Sequence, residues 1–326
     1  MSELHKFLFD GLPVRGLLVR LTDDWQEVLR RRAQAGDAFA PPVRALLGEM
    51  AAAAVLMQSN ITFDGALVLQ IHGDGPVKLA VAEVQPDLAF RVTAKVVGEV
   101  AGERSDDATE DSAFAALVNA GGKGRCAITL DPRNKLPGQQ PSQGIVGLNG
   151  AHGEPLPRLA DVLEHYMLQS EQLDTRLILA ADDHTAAGLL IQRLPLEGVG
   201  NLGARREDEI GIDESFNRIA HLSATLTVDE LLNLDAETVL RRLFWEERVL
   251  RFEPQQPRFA CTCARERVGN MLRSLGRAEV DSVVAEQGRV EVGCDFCGAK
   301  YHFDAVDVGE LFTPVRDQPP GSSTLN

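Results

Sequence analysis

Residues 288–303 run GRVEVGCDFCGAKYHF, an alternating segment that leads into Cys294-Asp-Phe-Cys297 and a glycine. Arg289 to Val292 has strand periodicity, Gly298 permits the sharp turn of a metal knuckle, and Tyr301 and Phe303 alternate beyond it as a cover for the site. Upstream stands Cys261-Thr-Cys263, so four of the chain's five cysteines form a C-x-C…C-x-x-C quartet. Zinc in structural sites takes four tetrahedral ligands, favours thiolates, and receives them from two close pairs joined by a loop. The expectation is one Zn2+ held by Cys261, Cys263, Cys294 and Cys297 in a module spanning about 259–303. Helical patterns at Ala264 to Leu275 and Glu279 to Glu286 occupy the interval between the pairs.

The single-residue spacer between Cys261 and Cys263 is shorter than the usual structural knuckle. Along an extended chain both side chains point the same way, able to grip a metal or to bond to each other. Metal-held thiolates stay nucleophilic and oxidisable, and a sulfenic acid formed by peroxide is resolved by a neighbouring cysteine. Apparent zinc affinity in small modules is about 10–16 kcal/mol, so a module with a meagre core of its own unfolds when the metal goes. His302, beside the cluster, is a candidate substitute ligand, but four sulfurs already complete a tetrahedron, which favours a surface role or one bracing a ligand.

The chain has 326 residues, 44% of them hydrophobic, which suits a soluble globular protein of about two domains. Its formal charge is −15, from 33 basic and 48 acidic side chains, with 5% aromatics; nucleic acid is a poor partner for such a surface. The longest apolar stretch, Val43 to Met57, is interrupted by Arg44 and Glu49 and is too short to cross a bilayer. No charged-then-apolar leader opens the chain, so the expected location is the cytoplasm, where thiols stay reduced and any disulfide is transient. Cys126, in GRCAITLD, reads as a buried structural thiol.

Ahead of the cysteines the pattern is α+β with antiparallel hairpins rather than βαβ units. It predicts a strand over 7–21, a helix from Thr22-Asp23-Asp24, a helix over 43–58, and a hairpin of 61–72 and 77–84 around Gly73-Asp74-Gly75-Pro76. Further strands are expected at 88–100, 126–130 and 188–194, a surface loop over 103–124, a Pro/Gly/Gln loop from Pro132 to Gly144, and a helix over 156–171. Gly198-Val-Gly200-Asn-Leu-Gly203 matches a dinucleotide fingerprint, but Pro195 interrupts its entry and no βαβ unit surrounds it, so it reads as a hinge. Beyond it come short helices: Asp213 to His221, one begun by the Thr227–Glu230 capping box, and one led by Asp235. Helices this short are marginal alone and need neighbours to lean on. The seven histidines form no H-E-x-x-H pair, and neither a G-x-S-x-G elbow nor a phosphate loop is present, so no catalytic residue is assigned and the chain reads as a non-enzyme.

Over residues 7–312 the chain resembles the redox-regulated 33 kDa heat-shock chaperonin family of bacteria. The resemblance rests on Phe259-Ala-Cys261-Thr-Cys263 with Arg265 and Glu266, and on Glu291-Val-Gly-Cys294-Asp-Phe-Cys297-Gly298 with Tyr301 and Phe303. Gly73 to Pro76, Gln143 to Val146, Tyr166 with Ser170 to Gln172, and Gly188 through Gln192 to Pro195 also carry it. Departures are Thr62 in place of a common lysine, Arg91-Val-Thr lacking a glycine, and a longer acidic 103–122 loop. The resemblance implies an ATP-independent holdase, zinc-bound and inactive when reduced, with disulfides Cys261–Cys263 and Cys294–Cys297 on oxidation. It further implies a linker that then unfolds, exposed surface that binds unfolding client proteins, and a homodimer of active molecules. The domain division is then 1–198 for an α+β client-binding domain, 199–257 for a metastable helical linker, 258–312 for the zinc module and 313–326 for a tail of disorder-like composition. Leu231, Leu232, Leu240 and Phe244, and the sheet near Phe63 to Leu69, are candidates for the gated surface. The alternative is a non-switching zinc-ribbon adaptor or regulatory protein; no cofactor besides zinc and no membrane partner is expected.

Overall fold

A computed structural model describes residues 1–100, 110–134, 138–195 and 207–313. It divides into two compact units, Met1–Ala260 and Cys261–Asn326. The expected hinge at 198–203, most of the acidic loop's start and the tail beyond 313 lie outside the described residues.

The first unit holds two sheets with a helix between them. The stretch expected as one strand over 7–21 is a hairpin, β1 (Glu3–Phe9) and β2 (Val14–Leu21). Gly11 turns the chain at φ +76 and Pro13 supplies no N–H, so the extended run cannot continue through them. Helix α1 (Asp23–Gln34) follows where Thr22-Asp-Asp predicted it, and α2 (Pro41–Asn60) covers the apolar run. From Met50 to Gln58 every residue of α2 is buried, as in a helix enclosed on all sides. Its alanines let two sheets close on it, and a Cβ at Gly48 would lie 2.4 Å from that of Ala181.

One sheet contains β3 (Gly65–His72), β4 (Val77–Val84), β5 (Ala89–Val96), β6 (Arg125–Pro132) and β7 (Ser142–Gly147). The hairpin around residues 73–76 is as expected, but neither Gly73 nor Gly75 has a positive φ. They are small because backbone crowds them: a Cβ at Gly73 would sit 2.1 Å from the Val77 carbonyl oxygen, and one at Gly75 would sit 2.5 Å from that of Leu117. Two loop expectations are corrected. Within 103–124 lies α3 (Glu110–Val118), because Leu117 and Val118 are buried against this hairpin and Asp74 N–H donates to Val118 O. The expected 132–144 loop ends in β7, whose Gln143 and Gly144 pair with Thr129 and Ile128. Helix α4 (Leu159–Ser170) then packs Tyr166 over Gly144, and just past its C-cap Glu171 the chain turns at Gln172, whose φ of +56 is left-handed.

β8 (Thr175–Ala181) was not anticipated; it pairs with β9 (Ala186–Arg193), and with β1 and β2 they form the second sheet. Its TRLILAA run follows a helix end too closely to stand out by periodicity. Leu17 and Val19 face α2, while Phe7, Phe9 and Leu18 face the other way, into a second core. That core is closed by α5 (Glu207–Ser223), α6 (Val228–Asn233) and α7 (Ala236–Phe244). The Thr227 capping box and the Asp235 cap form as predicted, with Thr227 Oγ1 accepting from Glu230 N–H and Asp235 Oδ1 from Thr238 N–H at 2.9 Å. Phe244 stacks edge-on to Phe9 at 4.9 Å, and Arg20 donates to the carbonyls of Leu231 and Leu232 at 2.6 and 2.9 Å. β10 (Val249–Arg251) joins β1 at the sheet edge, and β11 (Arg258–Phe259) lies parallel to β5.

The second unit contains α8 (Arg265–Leu275), α9 (Arg277–Gln287), the hairpin β12 (Val290–Gly293) with β13 (Lys300–Phe303), and α10 (Ala305–Phe312). α10 falls within the 258–312 expected for the module, although a helix there was not anticipated; its Asp304–Asp307 capping box and buried Val308 are the signals that mark it. Among the described residues no helix is long and apolar enough to cross a membrane.

Candidate metal centre

The first two cysteines lie on extended chain just ahead of α8, and the second two sit on the turn between β12 and β13. That turn is closed by Gly298 N–H donating to Cys294 O at 2.8 Å and Cys294 N–H to Ala299 O at 2.9 Å. Gly298 takes φ +72, as the knuckle expectation required. The hairpin register, Gly293 opposite Lys300, brings the turn's two sulfurs to one side.

The sulfurs of Cys261, Cys263, Cys294 and Cys297 all lie within 4.8 Å of one another. Cys261 Sγ is 3.5 Å from Cys294 Sγ, and Cys263 Sγ is 3.4 Å from Cys297 Sγ. With zinc–sulfur bonds of about 2.3 Å, the edge of a regular tetrahedron is about 3.8 Å, so the four donors are spaced for one such ion. All four are free thiols, as is Cys126. Both of these close contacts join one motif to the other, as expected where the knuckle turn is laid across the C-x-C segment.

Four thiols at this spacing cannot all ionise without a counter-charge. The Cys261 thiol, donating to Cys294 sulfur, holds Cys294 down to about 4, helped by backbone N–H groups of Cys297 and Phe296. Cys261 is in turn pushed up, first by that hydrogen bond and then by burial, and burial raises Cys297. The Tyr301 hydroxyl, hydrogen-bonded to Cys263, is raised to about 12. A divalent cation would supply the missing charge, and this donor set fits a thiophilic one.

Tyr301 covers the site as expected, but Phe303 is buried in the small core with Leu272, Val280, Val290 and Val308. Arg265 lies over the Phe303 ring at 4.2 Å, donates to His302 O at 2.6 Å and pairs with Asp307 at 2.7 Å, tying α8, β13 and α10 together. Arg267 donates to Thr262 Oγ1 at 2.7 Å and so braces the residue between the first two cysteines. Sequence reasoning missed Arg267; its five-residue offset from Thr262 carries no recognisable pattern. His302 stays outside the sulfur cluster, its Nδ1 3.4 Å from Glu291. Cys126 belongs to the first unit, on β6, where it is fully buried and its thiol is pushed up to about 12 by desolvation.

Residues 2–304 match the family model described as Hsp33 protein. The chain is 47% identical to the 33 kDa chaperonin of Chromobacterium violaceum over 311 residues, covering 95% of this chain and 94% of that protein. It is 42% identical over 313 residues to the 33 kDa chaperonin of Methylobacillus flagellatus, with 96% and 94% covered. A crystal structure of the 33 kDa chaperonin (heat shock protein 33 homolog) from Thermotoga maritima superposes with a TM-score of 0.74 at 21% identity, covering 95% of this chain and 98% of that one, which bears on the fold.

Proposed function

This chain belongs to the Hsp33 family, and from that membership we propose that it is a redox-regulated, ATP-independent holdase whose four clustered cysteines are its switch. The observation that carries the reading is the quartet itself: four sulfurs within 4.8 Å of one another in a unit whose buried core, among the described residues, is a cluster of five. Cys261, Cys263, Cys294 and Cys297 are the proposed ligands of one Zn2+, which when bound neutralises the thiolate charge and cross-links the C-x-C segment to the knuckle.

Oxidation removes the donors. A thiolate attacks peroxide, giving a sulfenic acid and hydroxide; a second thiol then condenses with the sulfenic acid, forming the disulfide and water. The pairing proposed is Cys261 with Cys263 and Cys294 with Cys297. Sulfurs committed to these disulfides are lost to the metal, so the C-x-C segment and the knuckle are no longer cross-linked. A unit with so small a core then has little to hold it.

Residues 1–198 are proposed as the client-binding domain, 199–257 as the linker and 258–312 as the switch module. Phe7, Phe9, Leu18, Leu189 and Ile191 form an apolar sheet face that α6 and α7 cover. Client binding needs apolar surface, worth about 25 cal/mol per Å2 removed from water, and such surface is kept covered until it is used. The partners are unfolded proteins, and oxidised molecules pair as homodimers. The protein works in the cytoplasm and carries out no catalytic turnover.

The test is aggregation of a thermally unfolding client, without nucleotide, in the presence of reduced or peroxide-treated protein. Suppression by the oxidised form alone is expected. Equal activity in both forms would remove the switch and leave the non-switching adaptor.

A further inference from the structure

β11 consists of only two residues, and it occupies one end of a much longer strand edge. Arg258 N–H donates to Leu88 O at 3.2 Å and Ala260 N–H to Phe90 O at 3.0 Å, so the even-numbered residues of β5 turn their backbone groups outward. Along 91–96 no described strand pairs with that side of β5.

Where β11 does sit, its seat is specific. The Phe259 ring packs edge-on to Phe90 at 6.4 Å, Arg31 lies over it at 5.1 Å, and the Phe259 N–H donates to Asp24 Oδ1 at 2.9 Å. Arg258, one position earlier, pairs with Asp87. The same face of β5 continues past Val92 to Ala94 and Val96, which line an open cavity of about 410 Å3 with Phe39, Val43 and Val100. At about 3.3 Å per residue, this cavity is some 13–20 Å along the strand from the Phe259 seat.

We propose that the β5 edge is a seat for client segments, held in the reduced protein by the chain's own β11. Once β11 leaves, the seat takes an extended segment with a basic residue, then an aromatic one, and an apolar side chain four or six positions further on. The backbone adds as a parallel strand, Phe90 and Arg31 receive the aromatic ring, Asp87 the basic group, and the cavity the later apolar side chain. This rests on the holdase reading above. It explains the gating in covalent terms: Phe259 is two residues from Cys261, so loss of order in the switch module frees the far end of β11 and lowers the effective concentration that keeps two residues docked.

The probe is a fluorescein-labelled peptide of this chain's residues 256–263 carrying Cys261→Ser and Cys263→Val, followed by anisotropy against full-length protein. Peroxide-treated wild type binds it at least about tenfold more tightly than reduced, metal-loaded protein. Reduced Phe259→Ala gains the same affinity while retaining its metal. Ala94→Pro removes an outward N–H and Val96→Glu, at a side chain 36% exposed, charges the cavity wall; each lowers binding to the oxidised form by about tenfold or more. The glutamate variant keeps the test open if proline disturbs β5. Unchanged peptide binding in oxidised Val96→Glu, or no gain in reduced Phe259→Ala, overturns the seat. If oxidised wild type fails to suppress aggregation, the holdase reading is what fails; undiminished suppression by Ala94→Pro and Val96→Glu instead places clients elsewhere and removes only the seat.

Discussion

Single side chains separate what is structural here from what is reactive. Burial holds Cys126 neutral to about 12, whereas an unfolded cysteine loses its proton near pH 8.5. Between those values deprotonation favours the unfolded chain, so stability falls by about 1.4 kcal/mol per pH unit on this account alone. Alkylation of Cys126 in native protein at pH 8 should track global unfolding, and labelling at the rate of an exposed thiol would contradict its placement. Gly144 tests packing: a Cβ there would lie 2.5 Å from the Tyr166 hydroxyl, so Gly144→Ala should lower stability by about 1–3 kcal/mol in denaturant titration. Cys294→Ser should lower bound metal below one ion per chain, and full retention would mean a misassigned ligand. The quartet was legible because metal geometry constrains residue type and spacing together. Arg267 and Asp24 were not, since each acts on a partner that only the folded chain brings near.

At the level of elements, legibility followed local signals. Caps at Thr227 and Asp235, the hairpin around residues 73–76 and the apolar α2 all announce themselves within a few residues. β8, β7 and α3 do not, because what makes each of them regular is a distant partner: β9, β6 and the loop of the 73–76 hairpin. The linker helices show a similar division. Their starts are local, but their stability is not, since α6 and α7 have six and nine residues and lean on the β1–β2–β9 face through Leu231, Val239, Leu240 and Phe244. Phe244→Ala removes a ring packed against Phe7 and Phe9 and should cost about 3–5 kcal/mol of local stability. Reduced Phe244→Ala, with its metal still bound, should therefore suppress client aggregation in part. Wild-type inactivity in that variant would show that the helices are not what keeps the surface covered.

For the whole molecule, composition and structure agree on a division of labour. The first unit carries two cores and a helix enclosed by two sheets, enough apolar burial to persist without help from a metal. Among its described residues the second has a core cluster of five buried apolar side chains beside four sulfurs, so its order depends on what those sulfurs hold. A net charge of −15 keeps such a molecule dispersed when apolar surface is uncovered. Hydrogen–deuterium exchange read by mass spectrometry, on anaerobically purified protein of measured zinc content before and after peroxide, addresses the dependence directly. One zinc per chain is expected at the start; oxidation should then remove protection from 261–312 and from the helices of 207–244 while 3–193 stays protected. Protection retained across 265–303 in fully oxidised, metal-free protein would contradict the account.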